Sequence, residues 1–276
     1  MKIYPLLKFV YNGLLTGLPI ITYNAYTKNN FMCEFNVKPY SAYLNYKLDD
    51  YQAFKIKKIF GFEENGFEME KISIKKNEKP NYYLSVNIYN CTLPIIPNKD
   101  VTRLEINTYV KNNDSIGTMI LDYSSNQLSM DPVNIFKRSS DLRYNLTEES
   151  IFNLFNLELK DSVLQPKTSK VKHCSISSDS KNFLFKSKFS DSLEKDNIFE
   201  IDEDLIKYSD NIYYSNGVYD KLYYDSTLTF QDVFKPLLIK SVFNFYNMTF
   251  DNPESIFIFK NKISFSGSIW KNIYDI

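Results

Sequence analysis

Arg103, Glu105 and Asn107 occupy alternate positions of the run Val101 to Val110. In a strand such residues point to one face, about 7 Å apart. A cation, a carboxylate and an amide on one face have two readings. On an open antiparallel sheet they are the solvated side. Facing the inside of a barrel, they are the few convergent polar groups of a small-ligand site. Ser85 and Asn87 extend the same polar face on the preceding strand, and the following strand brings Asp122 or its neighbours alongside.

A second chemistry is open to Lys137, which follows Val133-Asn134-Ile135-Phe136 and adjoins Arg138. An amine in apolar surroundings beside another cation loses its proton more readily, because both effects disfavour the charged form. The neutral amine then attacks a ketone and forms a Schiff base. The plainer alternative is that Lys137 is one of many solvated lysines. Arginine is scarce: the chain's 33 cations include only Arg103, Arg138 and Arg143. Two of the three fall among these candidate groups.

Composition removes most competing chemistries. The 276 residues carry 33 basic and 33 acidic side chains, a balance that argues against nucleic acid as a partner. A single histidine, His173, cannot build a multi-histidine metal site, and as a strand neighbour of Cys174 it points to the opposite face. Cys33, Cys91 and Cys174 have no metal-ligand or disulfide spacing, and the acidic stretch Asp196–Asp204 reads as a solvated loop. Seven scattered glycines form no phosphate-binding loop, and the zinc-protease, nucleophile-elbow and calcium-loop motifs are absent. No metal and no cofactor are expected. Lysine and carboxylate chemistry is what remains.

These groups must be held by strands. Tyr82 to Tyr89 alternates strictly, with Tyr82, Leu84, Val86 and Ile88 on one face. Val101–Val110 and Thr118–Tyr123 repeat the pattern, and antiparallel pairing of the three is expected. Further strands are expected over Phe31–Tyr46, Phe67–Ile74, Val171–Ser177, Asn182–Phe189, Gly217–Tyr224, Ser255–Lys260 and Lys262–Ser266. Short helices are expected over Asp50–Phe60, Glu148–Leu159 and Asp232–Tyr246. The fold class is therefore mainly β, an antiparallel barrel or paired curved sheets with a few short helices. It is read as one large domain over 1–276, or two β-rich halves, 1–160 and 171–276, joined by the polar connector 161–170. A short echo between Asp131–Lys137 and Asn252–Lys260 is compatible with a duplicated unit.

The succession Leu44-Asn45-Tyr46…Asp50, Gly61-Phe62, Tyr82–Tyr89, Glu105 and Ile120-Leu121-Asp122-Tyr123 resembles the acetoacetate decarboxylase-like β-barrel superfamily over roughly residues 31–140. The resemblance implies an antiparallel barrel around an apolar cavity. It also implies that Lys137 matches the family's Schiff-base lysine and Glu105 a charged pocket residue. The family's lysine follows a Gly-Arg-Glu…Pro-Lys-Lys run, whereas this chain reads Ser129-Met130-Asp131-Pro132-Val133-Asn134-Ile135-Phe136-Lys137-Arg138.

The functional expectation is a β protein that binds a small, partly apolar keto- or carboxylic-acid-like ligand, with Schiff-base lyase or decarboxylase activity as its catalytic form. Lys137 and Glu105 are its candidate catalytic residues. Arg103, Asn107 and Arg138 are its candidate ligand contacts, with Arg138 lowering the lysine's pKa or clamping a carboxylate. The alternatives are a non-catalytic carrier of a lipid or isoprenoid, and a structural or interaction protein whose exposed Tyr213, Tyr214, Tyr223 and Tyr224 are adhesive. The apolar N-terminal stretch is broken by Lys8, Asn12 and Pro19, so a soluble cytoplasmic protein without a membrane partner is expected. Self-association into a homo-oligomer is left open.

Overall fold

The computed structural model describes residues 32–38, 40–92, 100–113, 115–126, 129–130, 138–139, 148–155, 157–161, 163–166, 174–178, 183–187, 198–199, 212–215, 218–224, 230–234, 243–259 and 263–268. The first of these form strands β1 (Met32–Val37) and β2 (Ser41–Leu48), helix α1 (Asp50–Ile59), a 3-10 turn (Glu63–Asn65) and β3 (Glu68–Met69). Three long strands follow: β4 (Tyr82–Thr92), β5 (Asp100–Asn112) and β6 (Ser115–Ser125). The short β7 (Ser129–Met130) and β8 (Arg138–Ser139) pair with each other ahead of helix α2 (Glu148–Leu154). Next come two hairpins, β9 (Leu157–Lys160) with β10 (Val163–Pro166), and β11 (Cys174–Ser178) with β12 (Phe183–Ser187). Then follow β13 (Ile198–Phe199), β14 (Ile212–Ser215), β15 (Val218–Tyr224) and β16 (Phe230–Phe234). The hairpin β17 (Phe243–Phe245)–β18 (Met248–Phe250) precedes β19 (Ser255–Phe259) and β20 (Ile263–Ser268).

The main sheet has the order β13-β16-β19-β2-β4-β1-β20-β15-β14-β6-β5-β3. β4 also pairs with β5, which folds the sheet back on itself, while β13 and β3 stay as edges among the described residues. Of the two architectures expected, paired curved sheets fit the described strands. Pairing is antiparallel as expected, except that β6 and β14 run parallel.

The period-2 pattern explains both the strands and the packing. β2, β4 and β5 turn Leu44, Val86 and Ile106 to one face, and Met119 and Leu121 of β6 join them. Residues opposite one another on a ladder lie about 5 Å apart, so these side chains form continuous apolar rows. Ala53 and Ile56 of α1, Ile151 and Leu154 of α2, and Phe243, Phe245 and Phe250 of the late hairpin pack against them. Burying each large aliphatic or aromatic side chain contributes about 1.5–3 kcal/mol. Tyr46 rests on Phe243 and Phe250, with ring centroids 5.2 and 5.9 Å away, so the hairpin closes over β2.

Helix α1 begins where its sequence indicates. Asp49 is the N-cap and accepts from the Gln52 N–H at 2.7 Å, while the Gln52 side chain accepts from the Asp49 N–H at 2.9 Å. That reciprocal pair satisfies two of the amide donors a helix start leaves open. Gly61, at φ +57°, carries the chain out of the helix in a conformation other residues adopt with strain.

Two expected helices are corrected. The span expected from Asp232 to Tyr246 belongs instead to β16 and to the β17–β18 hairpin in its described parts. Phe243 and Phe245 are buried and flank a half-exposed Asn244, an alternation of two, and Tyr246 and Asn247 turn the chain at positive φ. The helix expected from Glu148 to Leu159 stops at Leu154, and Leu157–Lys160 is a strand. The strand expected over Phe67–Ile74 is reduced to Glu68–Met69 and one isolated bridge, Ile72 to Asn81. Within the polar connector 161–170, Val163–Pro166 is strand β10. Among the described residues, no helix is long and apolar enough to cross a membrane.

Candidate functional site

The face of β2, β4 and β5 opposite the apolar rows is as deeply buried as the core, and it is polar. Arg103 is 1% exposed, Glu105 3% and Asn107 0%, so this is not the solvated side of an open sheet. The register fixes the layout. Tyr89 stands opposite Arg103, Asn87 opposite Glu105 and Ser85 opposite Asn107. On the far side of β4, Tyr43 of β2 stands opposite Asn87 and Asn45 opposite Ser85. Beyond them, Phe257 of β19 stands opposite Tyr43 and Ser255 opposite Asn45.

β5 also pairs with β6, and a bulge between Ile106 and Asn107 decides what arrives there. Tyr123 comes opposite Glu105, whereas Asp122 comes opposite Ile106 and accepts from the Tyr123 N–H at 2.8 Å. The neighbour of Asp122, and not Asp122 itself, therefore joins the cluster. Its ring lies 4.7 Å from the Arg103 guanidinium carbon, a cation–π contact.

Arg103 and Glu105 form a buried ion pair, with Nη2 3.3 Å from Oε1. Tyr89 donates its hydroxyl to the same Oε1 at 2.6 Å. Burial on its own would lower the guanidinium's hold on its proton; Tyr89 and Glu105 outweigh it and hold Arg103 above its ordinary value. Burial holds the Tyr89 phenol well above its own, against the pull of Arg103, so it is a neutral donor. Cys91, two residues along the same side of β4, is pushed up to about 12 by burial. It is a thiol, not a thiolate, at neutral pH.

A second chain of bonds runs across the sheet at the other end. Tyr109 donates to Asn45 Oδ1 at 3.2 Å, and Asn45 Nδ2 donates to Ser255 Oγ at 3.4 Å. Between this chain and the ion pair, Ser85 Oγ, Asn87 Oδ1 and both polar atoms of Asn107 are buried with no hydrogen-bond partner. Buried polar atoms are nearly always paired, so four open atoms in one patch require an explanation. Tyr43 and Phe257 stack beside the patch, with centroids 4.9 Å apart and planes 10° from parallel.

The structure thus brings together three of the five expected site residues. Lys137 lies outside the described residues, and Arg138 is described only as backbone of β8. His173 and residues 131–137 of the short sequence echo also lie outside them, as do the side chains of Tyr213, Tyr214, Tyr223 and Tyr224. Sequence reasoning passed over Tyr89 and Asn45. The signal for Tyr89 was present, because it continues the odd-numbered series Ser85, Asn87 to the same face. Nothing local marks Asn45, whose partners Tyr109 and Ser255 come from distant strands. Among the described residues, no group of three or more His, Cys, Asp or Glu side chains gathers as a metal site.

No protein-family model matches the chain, and no curated protein matches it. Solved structures similar in chain course include acetoacetate decarboxylase from Legionella pneumophila. It is 8% identical, covers 85% of this chain and 84% of its own, and has a TM-score of 0.41. An acetoacetate decarboxylase-like enzyme from Sphingomonas wittichii is 6% identical over 86% of this chain and 91% of its own, also at 0.41. The enduracididine biosynthesis enzyme MppR, solved with the condensation product of pyruvate and imidazole 4-carboxaldehyde, is 7% identical over 87% and 88%, at 0.40.

Proposed function

We propose that the protein binds a small, partly apolar carbonyl compound against the polar face of β4 and β5. Asn107 carries this reading. It is wholly buried, and neither its Nδ2 nor its Oδ1 has a partner. An unpaired buried polar group costs about 1–3 kcal/mol, and a ligand that satisfies both ends removes that cost. Arg103 and Glu105 set the local field beside it, and the stacked Tyr43 and Phe257 supply a flat apolar neighbour on the same face.

The catalytic form of the proposal adds Lys137 as nucleophile, with Arg138 lowering its pKa and Glu105 beside the reacting carbon. The lysine nitrogen adds to the ligand's carbonyl carbon, and water leaves as the C=N bond forms. Borohydride reduces that bond to a stable secondary amine, which makes the step testable. Treating the folded protein with borohydride and a panel of 2- and 3-keto acids should leave an adduct on Lys137 that Lys137→Ala lacks. Native mass spectrometry on the same samples reads ligand retention independently of any covalent step. No lysine adduct, or one unchanged in Lys137→Ala, removes the lyase form. Absence of any retained carbonyl compound, with the neutral methyl ester and amide of pyruvate added to the panel, removes the binding site as well.

A further inference from the structure

The open atoms of the patch have a definite pattern. Asn107 offers one donor, Nδ2, and one acceptor, Oδ1, on a single carbon, and both are unpartnered. Because both are open, the pattern holds whichever way round the amide lies. Directly across the ladder stands Ser85, whose hydroxyl both donates and accepts, and one pair along stands Asn87 with an open Oδ1. Another amide complements a donor and an acceptor on one carbon. Its C=O accepts from Nδ2–H while its N–H donates to Oδ1, and Asn87 Oδ1 and Ser85 Oγ stand near to receive a second N–H.

Charge points the same way. The Glu105 carboxylate accepts from Tyr89 and lies against the Arg103 guanidinium as an ion pair. The buried pair then has no net charge. A carboxylate brought to Asn107 would share a face with the Glu105 carboxylate and would leave Oδ1 facing another acceptor. Burying a charge without a compensating partner is costly, whereas a neutral amide brings none.

We propose that this patch takes a neutral ligand of the carboxamide class, with a C=O and an N–H on one carbon, in preference to a carboxylate anion. The proposal rests on the polar face being a ligand site. Pyruvamide, pyruvate and methyl pyruvate share a skeleton and differ only at the group that would face Asn107. Calorimetric titration of the full chain with each should show pyruvamide binding at least about tenfold more tightly than the other two, since each rival leaves a buried acceptor unpaired. Pyruvate binding as tightly as pyruvamide, or more so, overturns the amide preference and leaves the ligand site standing; so does methyl pyruvate at parity. Binding by none of the three overturns both.

A substitution pair guards against a coincidental preference. Asn107→Asp keeps the shape and replaces the donor with charge, and Asn107→Leu keeps the approximate volume and removes both polar ends. Each should weaken pyruvamide at least about tenfold in a protein whose near-ultraviolet circular dichroism is native. Unchanged binding in either folded variant overturns the assignment to Asn107. Should Asn107→Asp fail to fold, Asn107→Leu gives the answer, because it adds no charge to the interior.

Discussion

The two faces of the β2–β4–β5–β6 region are equally buried and differently made. One carries Leu44, Val86, Ile106 and Leu121 packed on helix α1 and the phenylalanines of the late hairpin. The other carries Asn45, Ser85, Asn87, Arg103, Glu105 and Asn107, all at most 3% exposed. Alternate residues of the same strands thus meet two environments a few ångströms apart. Dispersion and water exclusion hold the first face. Directional bonds hold part of the second, and the rest of it is left open. Burial by itself therefore does not mark a stabilising core, because one of these layers holds buried polar atoms without partners.

Adjacent residues of β5 test that contrast at its strongest. Glu105→Ala strands the Arg103 guanidinium in a dry interior and should cost about 3–5 kcal/mol. Leu104→Ala, on the apolar face, should cost about 2–5 kcal/mol through lost contacts and a residual cavity. Urea denaturation at neutral pH measures both. The faces separate when the polar group is replaced together: Arg103→Met with Glu105→Leu and Tyr89→Phe, which leaves no stranded hydroxyl, should be neutral or gain about 1–4 kcal/mol. A triple variant as weak as Glu105→Ala would make the ion pair a structural necessity and erase the distinction between the faces.

A smaller effect sharpens the same point. Asn107→Leu removes two open polar ends and should raise stability by about 1 kcal/mol, read as a higher thermal midpoint. A lowered midpoint would mean that the amide is structurally employed.

The smallest effect appears only in alkali. The Cys91 thiol keeps its proton to about 12 in the fold, against an ordinary 9.0 once unfolded. The unfolded chain therefore binds fewer protons between those values, and stability falls as pH rises through them. Below pH 9 this contribution is fully present. Comparing urea midpoints of the wild type and Cys91→Ala from pH 8 to 11 isolates it, and the wild type should lose stability more steeply. Parallel slopes would place Cys91 in contact with solvent.

Much of the fold was legible because strand chemistry is local. Tyr82–Tyr89 and Val101–Val110 announce their two faces in their own alternation, and the observed ladder matches Ser85 with Asn107 and Asn87 with Glu105 on the expected side. Helix α1 was legible from acidic residues at its start, lysines near its end and the glycine beyond. The span Asp232–Tyr246 was misread because Phe243 and Phe245 suit a helical face as well as a strand, and only the pairing with β18 decides between them. Within the site, Tyr123 was displaced into place by a bulge, and a bulge has no signature in a run such as Ile120-Leu121-Asp122-Tyr123.

The sequence by itself determined that Arg103, Glu105 and Asn107 share a face, since a strand's side chains alternate whatever surrounds them. It also restricted the chemistry largely to lysine and carboxylate groups, because 276 residues with one histidine leave little else. Whether that face is wet or buried was decided by tertiary structure alone. Enclosure depends on a sheet that turns back through the β4–β5 pairing and on chain segments far apart in order, such as β2 against β19. Enclosure is also what gives the polar groups their meaning. In water, Asn107 would be solvated and Arg103 would stay hydrated; buried together, one is left with open hydrogen-bonding ends and the other is committed to Glu105.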